Sequence, residues 1–396
     1  MIDFPASPTT GQQFNAAGVT WTWDGTKWTG AGLNTPYLPL SGGTLSGPLT
    51  LVSDPTAALQ PATKQYVDAG NVYPRDNRII NGDMRIDQRG IASGAGGTAL
   101  GYTVDRWQFN ASNATKGVWQ RAGGPPGPNL AAAGFGYALT FTSNSAYTPL
   151  ATDYFQFVQI VEADMVSDFA WGTPNAQPVT LSFWVNSSLT GTFSGVIGND
   201  NGTRSYPFSY SISVASTWTK VAVTIPGDTG GTWVMSGNTR SLTVHFDLGA
   251  GANYRGPANA WASVNYVGVT GAVNVVGTNG AIFNVTGVKL EIGSVATHYN
   301  RQSLAKSLAD CQRYYQVSQM LFAISGQPAG GQLNMSQPLI VTMRAVPTLT
   351  VLTNASANWT FQALGANVNM IANLTGLVVA AGQAPINVTF SAAAEL

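Results

Sequence analysis

Short segments in which apolar and polar residues alternate recur along the middle of this chain. The clearest are residues 179–185, 218–225, 241–248 and 281–292, each next to Gly, Pro, Ser or Asn. Because successive side chains of a strand point to opposite faces, such alternation is typical of strands with one buried face. Regularly spaced short strands with almost no helical periodicity predict a β-sandwich over residues 78–300.

The first 35 residues carry a different pattern. Trp21, Trp23 and Trp28 flank the dipeptide Asp24-Gly25, which is a strong hairpin signal between apolar residues. About 30 residues cannot bury enough apolar surface to be stable alone. We therefore predict that residues 1–35 form a small β-element that attaches to another protein.

Residues 36–77 combine Gly, Pro and small apolar residues. The stretch 37–50 has too little bulk for a monomeric core, so we expect it to pack against other copies of the chain. Asp54 is placed to cap a helix and Pro55 suits the first turn of one. This predicts a stalk with a short helix that ends near Gly70.

A further helix is predicted over residues 301–316. Leu304, Leu308, Cys311 and Tyr315 recur at spacings of four, three and four residues, which places them on one helical face. A helix this short is marginal alone, so we expect it to pack on the sandwich or in a three-helix seam.

Residues 317–396 contain only two charged residues, Arg344 and Glu395. The pattern predicts strands at residues 338–343 and 348–352. Because exposed apolar surface without charge favours association, we predict a distal β-domain that packs against its own copies.

Composition narrows the class of partner. Only 9% of residues are charged, and 18 Lys and Arg balance 18 Asp and Glu. No basic cluster is present to neutralise phosphates, which argues against nucleic acid and anionic lipid as partners. The single cysteine, Cys311, cannot form an internal disulfide, and we expect it to be a small buried apolar residue. A secretory signal and an apolar run of ~20 residues are both missing, so we expect synthesis in a cytoplasm without membrane insertion.

Two parts of the chain resemble known phage proteins. PLSGGTLSGPLTL followed by DPTAALQPATKQYVDAG resembles the stalk module repeated in many tailed-bacteriophage fibres, which trimerises in that family. NRIINGDMRIDQRG, GYTVDRW and GVKLEIGSVATHYNRQS resemble the edges of the jelly-roll, carbohydrate-binding-like domain of the same fibres. The resemblance covers roughly residues 37–316 and implies a mainly β, homotrimeric tail fibre.

On this interpretation each region has an expected role. Residues 1–35 bind a tail or baseplate protein, residues 36–77 form the trimeric stalk, and residues 78–300 form the jelly-roll. The helix at residues 301–316 leads into a distal tip at residues 317–396. The expected function is adsorption of a virion tail to its host through bacterial surface polysaccharide or lipopolysaccharide. Two alternatives stay open: a tailspike depolymerase, and a structural adaptor that carries another receptor-binding protein.

The sequence offers no catalytic set. A glycosidase usually needs two carboxylates about 5 to 9.5 Å apart, and Glu162 with Asp164 is the nearest approach to such a pair. We interpret both as turn or surface carboxylates. His245 and His298 have no nucleophile elbow or second His at metal-ligand spacing nearby. We predict no catalytic residues and no enzyme activity.

The resemblance also implies one hypothetical metal site. Sugar-binding jelly-rolls often tie their terminal strands with a structural calcium ion, and Asp83 and Glu291 lie in those strands here. Calcium takes about 6 to 8 oxygen ligands, of which the sequence names two. No other cofactor is expected.

Sugars present hydroxyls and apolar C–H faces, so a sugar site needs an aromatic platform beside amides and hydroxyls. Aromatic residues in expected loops or strand ends are the candidates. They are Trp171, Tyr206, Trp233, Tyr254 and Trp261 in the sandwich region, and Trp359 in the distal region. Trp184 and Trp218 lie within alternating strands and are expected to belong to the core.

Overall fold

The computed structural model describes residues 2–30, 77–91, 93–95, 101–113, 115–123 and 134–396. These belong to two compact units, Met1–Asn71 and Val72–Leu396. The stalk and the short helix expected at Asp54 to Gly70 lie outside the described residues.

The first unit contains a three-stranded antiparallel sheet. Its strands are β1 (Gln13–Ala16), β2 (Val19–Trp23) and β3 (Trp28–Gly30). Trp23 pairs with Trp28, and between them Asp24 Oδ1 accepts hydrogen bonds from the backbone N–H groups of Lys27 and Thr26 at 2.9 and 2.8 Å. These hydrogen bonds lower the pKa of Asp24, and the one from Lys27 has the largest effect. The hairpin predicted at Asp24-Gly25 is confirmed.

The second unit begins with a β-sandwich of two six-stranded antiparallel sheets. Sheet I contains, in spatial order, β13 (Thr219–Ile225), β10 (Val179–Ser187), β17 (Ile282–Ile292), β8 (Tyr137–Ser143), β7 (Gly117–Gly123) and β4 (Ser93–Ala95). Sheet II contains β12 (Ser205–Ile212), β11 (Gly191–Asn199), β14 (Arg240–Ala250), β9 (Tyr154–Glu162), β6 (Trp107–Ala111) and β5 (Gly101–Tyr102). The chain passes repeatedly from one sheet to the other, so this is a jelly-roll, and the predicted sandwich is confirmed.

Short elements connect the strands of the sandwich. They are the 3-10 helices Ala163–Phe169, Ala252–Tyr254 and Val275–Gly277, and the parallel pair β15 (Arg255–Gly256) and β16 (Gly268–Val269). The second of these helices and the parallel pair belong to one long connection, residues 251–269, which lies beside sheet II.

Aromatic side chains fill the space between the two sheets. Phe183 of sheet I packs edge-on against Phe246 of sheet II, with ring centroids 5.0 Å apart, and Phe141 packs against Phe109 at 5.5 Å. All four rings are buried. Most inward positions of the long strands are apolar, although Gln159 of β9 is an inward, buried amide that is hydrogen-bonded to the backbone of Ile80. Polar side chains therefore lie mainly at the outward positions.

One α-helix, α1 (Leu304–Gln312), follows the sandwich among the described residues. Ser303 Oγ caps it by accepting a hydrogen bond from the Lys306 N–H. The predicted span of 301–316 is too long, and Leu304 is 59% exposed while Tyr315 already belongs to a strand. Cys311 is buried, as expected. In the described part of the chain, no helix combines the length and apolar character needed to cross a membrane.

The distal region is a second β-domain with its own core. One sheet contains β18 (Tyr315–Gln327), β23 (Gly382–Ala393) and β20 (Thr348–Asn354), and the other contains β19 (Gln332–Pro338), β22 (Met370–Val378) and β21 (Trp359–Ala366). The strand predicted at 348–352 is confirmed. The strand predicted at 338–343 is wrong, because β19 ends at Pro338 and the Ile340 N–H instead donates to Gln316 Oε1.

A buried charge cluster joins the distal domain to the sandwich. Arg106 is fully buried and donates to Glu395 Oε2 at 2.5 Å and to the carbonyl oxygen of Ile160 at 2.7 Å. Arg89 donates to the other carboxylate oxygen of Glu395 at 2.8 Å. The Arg106 guanidinium also lies 3.6 Å from the centroid of the Tyr314 ring, which adds a cation–π contact.

Glu395→Gln should destabilise the second unit, because it leaves the buried Arg106 without its counter-charge. We expect a loss of about 3 kcal/mol in the free energy of unfolding, measured by urea denaturation. Asp310→Asn, which breaks the exposed Lys306–Asp310 pair of α1, is the control and should cost less than ~1 kcal/mol. Similar small losses in both variants would contradict a structural role for the cluster.

Candidate functional site

A cleft with a volume of about 290 Å³ crosses the outer face of sheet II. Its floor consists of outward-facing side chains from β6, β9 and β14. One wall is formed by the connection 251–269 and the other by the turn at residues 199–202. The cleft therefore lies where outward positions of three neighbouring strands and two loops converge.

The floor is rich in amides because of the strand register. Asn110 of β6 is the cross-strand partner of Gln156 of β9. In the next row, Gln108 is paired with Val158, which is paired in turn with His245 of β14. Gln108 is buried, and its Oε1 has no hydrogen-bond partner in the described structure. Three amides and an imidazole thus lie in two adjacent rows.

His245 is neutral and oriented by Gln156. Its Nδ1 lies 2.6 Å from Gln156 Oε1, which places the ring proton on Nδ1. Burial, and then the charge of Arg240, lower the pKa of His245 to about 4. Nε2 makes no hydrogen bond with any described residue, so at neutral pH it is a free acceptor.

A buried ion pair fixes the connection 251–269. Asp247 Oδ2 lies 3.2 Å from Arg255 Nη2. Arg255 also donates to the carbonyl oxygens of Ala250 and Val269, each at 2.8 Å, and to Asn274 Oδ1 at 2.6 Å. One guanidinium therefore joins both ends of the connection to β14.

Burial raises the pKa of Asp247 to about 6, although Arg255 and the hydrogen bonds from Ser194 Oγ and the Gly249 N–H oppose the shift. The carboxyl is almost fully removed from solvent. Its cost of desolvation is only partly offset by its partners.

The connection held by Arg255 carries an aromatic side chain to the cleft. Tyr254 lines it, and its ring packs edge-on against Tyr154 of β9, with centroids 5.4 Å apart and planes at 84°. Both rings are only partly buried. They supply the apolar surface of a cleft that is otherwise polar.

The turn at residues 199–202 forms the opposite wall. Asn199 Oδ1 accepts hydrogen bonds from the N–H groups of Thr203 and Arg204, each at 2.9 Å, which closes the turn. Gly202 has φ +67°, and a Cβ there would lie 3.2 Å from the amide of Asn265 on the other wall. A glycine at this position allows the two loops to approach each other.

The charges of the cleft are neutralised within the cleft. Arg240 pairs with Asp200 at 2.5 Å, and Asp247 pairs with Arg255. By contrast, the side chains of Asn110 and Asn265 make no hydrogen bonds with described residues. No group of three or more His, Cys, Asp or Glu that could hold a metal occurs in the described ranges. The cleft therefore offers neutral donors and acceptors.

Four of the aromatic residues named from the sequence form one packed cluster elsewhere in the sandwich. They are Trp171, Tyr206, Trp233 and Trp261. Trp171 and Tyr206 are 2% and 4% exposed, so the expectation that they form open platforms is wrong. Trp171 Nε1 donates to the carbonyl oxygen of Gln177 at 2.8 Å, and Trp261 Nε1 to that of Pro226 at 2.9 Å.

Asp228 completes this cluster. It accepts hydrogen bonds from Arg204 Nε at 2.8 Å and from Trp233 Nε1 at 3.0 Å. The rings of Trp233 and Trp261 keep part of their surface accessible. Even so, their polar atoms are engaged within the chain, so the cluster is explained by packing.

Trp359 is also buried, with 5% exposure, in the distal core. A Cβ on Gly376 would lie 2.1 Å from its ring, so β22 passes directly against the indole. The expectation of a distal sugar platform at Trp359 is therefore wrong. Of the six aromatic candidates, Tyr254 is the one that reaches the cleft.

Asp83 and Glu291 do not fit a calcium site. The Asp83 carboxylate lies 2.6 Å from Arg85 Nε and 3.2 Å from Arg301 Nε. Glu291 accepts hydrogen bonds from Thr297 and lies 3.1 Å from the buried Lys289 ammonium. Each carboxylate is compensated by cationic side chains, which would repel a metal ion.

The pair considered for hydrolysis is also engaged in structural contacts. Glu162 accepts hydrogen bonds from Arg313 at 2.6 Å and from the Tyr314 hydroxyl at 2.5 Å. Asp164 accepts one from the Gly237 N–H. Both line a cavity of about 410 Å³ beside α1, in which Arg78 pairs with Asp168 and Lys306 with Asp310. Glu162 thus joins Arg313 and Tyr314, which lie between α1 and β18, to β9 of the sandwich, whereas Lys306–Asp310 is a pair within α1.

Comparison of the sequence with models of known families and with curated proteins finds no match. Solved structures that match part of this chain include the enzymatically active domain of bacteriophage CBA120 tailspike protein 4, at 13% identity and a TM-score of 0.29 over 55% of this chain and 21% of that chain. This chain therefore spans about a fifth of the tailspike.

Two other matching structures are described as carbohydrate-binding proteins. One is a sugar binding protein of Bacteroides thetaiotaomicron, at 13% identity and a TM-score of 0.31 over 55% of this chain and 100% of that chain. The other is the family 11 carbohydrate-binding module of Clostridium thermocellum, at 14% identity and a TM-score of 0.24 over 52% and 98%. Scores below 0.5 do not establish a shared fold, so function must be argued from this chain's own geometry.

Two strands of the sequence carry a signal for the cleft. In β9 the order Tyr-Phe-Gln-Phe places Gln156 between two inward phenylalanines, and in β6 Gln108 and Asn110 alternate with Trp107 and Phe109. Amides at the outward positions of strongly apolar strands mark a polar sheet face. Which strands lie side by side is not visible from this pattern, so the amides could not be assembled into one site.

The two buried titratable groups of the cleft should respond to pH in opposite directions. His245 titrates near pH 4 when folded against 6.5 ordinarily, so the unfolded chain binds more protons in this window and the His245 contribution to stability rises with pH. Asp247 titrates near 6 against 3.8, so its contribution falls as pH rises through that window.

Urea unfolding of the parent chain, His245→Gln and Asp247→Asn from about pH 4 to 7 measures both effects. The free energy of unfolding of the parent relative to that of His245→Gln should increase with pH. The free energy of unfolding of the parent relative to that of Asp247→Asn should decrease with pH. Three curves that run parallel would show that these groups are not desolvated as described.

Proposed function

We propose that this chain is a homotrimeric tail-fibre protein of a phage or phage-like particle, and that it adsorbs to bacteria by binding surface glycans in the sheet II cleft. The observation that carries this proposal is the group of three amides, Gln108, Asn110 and Gln156, which lies with the neutral imidazole of His245 beside the Tyr154–Tyr254 pair. The sequence resemblance of residues 37–316 to tailed-phage fibres supplies the biological context.

The cleft has the groups that an uncharged sugar requires. Sugar hydroxyls donate and accept, and the side chains of Asn110 and Gln156 can do both. His245 Nε2 adds an acceptor, while Tyr254 offers a face for the C–H surface of a pyranose ring. Rigid strands carry the floor, so little ordering is needed when a ligand binds.

Weak single sites are sufficient for adsorption. A homotrimer presents three copies of the cleft, and several fibres on one particle multiply the effective concentration at a polysaccharide surface. The proposal includes no catalytic step, since Glu162 and Asp164 hold structural contacts. Release of reducing ends from host polysaccharide would instead support a depolymerase.

Surface chemistry of the distal domain supports oligomerisation. Its charged residues, Arg344 and Glu395, both face other parts of the chain: Arg344 donates to the carbonyl oxygen of Ala394, and Glu395 pairs with Arg106. Large apolar side chains are exposed, with Leu321 at 69% and Val346 at 63%. Such a surface is expected to be covered by copies of the same domain. We assign residues 1–35 to the binding of a tail or baseplate protein.

Gln156→Ala and Tyr254→Ala should each weaken glycan binding by about tenfold, because each removes a contact worth roughly 1.4 kcal/mol. Asn186→Ala, which removes an outward amide from sheet I, is the control and should bind normally. Binding of the purified oligomer to host cells and to a glycan array measures this. Unchanged binding by both cleft variants would exclude the cleft as the receptor site.

The full chain should sediment as three copies of 41.4 kDa. Leu321→Asp should weaken assembly or lower its midpoint of thermal dissociation, because the new charge would be buried between copies. Val214→Asp changes a residue of similar exposure in the sandwich and should leave assembly intact. A stable monomer of the unchanged chain would refute the homotrimer.

A further inference from the structure

A second pocket, of about 420 Å³, opens on the outer face of sheet I, on the side of the sandwich opposite to the cleft. Trp184, Lys220, Phe135 and Tyr299 line it. Trp184 is an outward residue of β10 and is partly exposed, so its expected place in the core is wrong, whereas Trp218 is buried as expected. The register pairs Trp184 directly with Lys220 of β13.

Two rings and a glycine form a fixed aromatic wall. Phe135 packs edge-on against Tyr299, with centroids 5.1 Å apart. Gly287 of β17 has φ +61°, and a Cβ there would lie 2.5 Å from the Phe135 ring. The missing side chain lets Phe135 lie against the strand, so the wall is rigid without any ligand.

The pocket has an excess of positive charge. Lys220 is exposed and makes no ion pair or side-chain hydrogen bond with residues that the structure describes. Arg301, at the rim, shares the single carboxylate of Asp83 with Arg85. Lys220 and Arg301 line the pocket and none of the described Asp or Glu side chains does, in a chain with as many acidic as basic residues. The sheet II cleft differs, because each of its arginines is paired with an aspartate.

We infer that this pocket is a second binding site, for an acidic sugar whose ring stacks on Trp184 and whose carboxylate or phosphate pairs with Lys220. The indole has no hydrogen bond with described residues, so its Nε1 is free to donate to a hydroxyl of the same sugar. The cross-strand placement of indole and ammonium keeps the two contacts within the width of one ring. An acidic polysaccharide can thus be held on one face while neutral units bind on the other.

Pairs of ligands that differ in one anionic group measure how much the negative charge of the sugar contributes to binding. Methyl β-glucuronide and methyl β-glucoside differ only in the carboxylate, and glucose 6-phosphate against glucose tests a phosphate in its place. Saturation-transfer difference NMR with the full oligomer suits such weak ligands. We expect the glucuronide to bind about fivefold more tightly than the glucoside in low salt, as for an exposed ion pair. This preference should fade as salt screens the pair.

Variants assign the effect to the pocket. Lys220→Gln should reduce glucuronide binding to the glucoside level, Lys220→Arg should retain the preference, and Trp184→Ala should weaken both ligands. Lys27→Gln, in the first unit, changes net charge equally and should have no effect. The exposed position of Lys220 means that these changes should leave the fold intact, which circular dichroism verifies.

Two outcomes would overturn the inference: equal binding of the two glycosides, or a preference for the glucuronide that persists in Lys220→Gln. The role of Lys220 would then be to protect the edge strand of sheet I from pairing with another chain. The measurement is independent of the proposed function. Tyr254→Ala should leave glucuronide binding unchanged, whereas it weakens host glycans only if the cleft is the receptor site.

Discussion

The packing of two six-stranded sheets around one aromatic core is the constraint on which the other features of this protein depend. Once Phe183 and Phe246 meet between the sheets, the register of their strands is set, since a slip of one residue would expose every inward side chain. The outward positions are then fixed as well. Both proposed binding surfaces include such positions, one on each sheet, on a scaffold that needs no ligand to form.

The chain has few charged residues, and several of them determine how its loops and domains are positioned. Arg106 and Glu395 join the distal domain to the sandwich, Glu162 holds Arg313 and Tyr314, and Asp247 with Arg255 orients the connection that carries Tyr254. The carboxylates of these contacts are at most 10% exposed, and an unmatched charge at such a buried position is costly. Charge in this molecule serves mainly to position loops and domains, and the exposed Lys220 stands apart from that use.

The two outer faces of the sandwich differ in chemistry although they share an architecture. The sheet II cleft presents amides, a neutral imidazole and two tyrosines, and the charged side chains around it are paired with each other. The sheet I pocket presents a tryptophan, a fixed aromatic wall and the Lys220 ammonium, which forms no ion pair with the described residues. Neutral and acidic sugars would therefore be separated by which face they meet. If the protein adheres through many weak contacts, as proposed, two selectivities on one domain would increase the range of surfaces to which it binds.

The sequence alone determined the β-sandwich, the Asp24-Gly25 hairpin, the buried Cys311 and the neutral, sugar-compatible composition, because these follow from local periodicity and residue counts. Tertiary structure decided which residues meet. Trp171, Tyr206 and Trp359 become buried, Asp83 and Glu291 acquire cationic partners, and Gln108, Gln156 and His245 become neighbours although they are distant in sequence. Alternation shows which side of a strand faces outward, but the order of strands in a sheet depends on long-range packing, so the site could not be assembled before the fold was known.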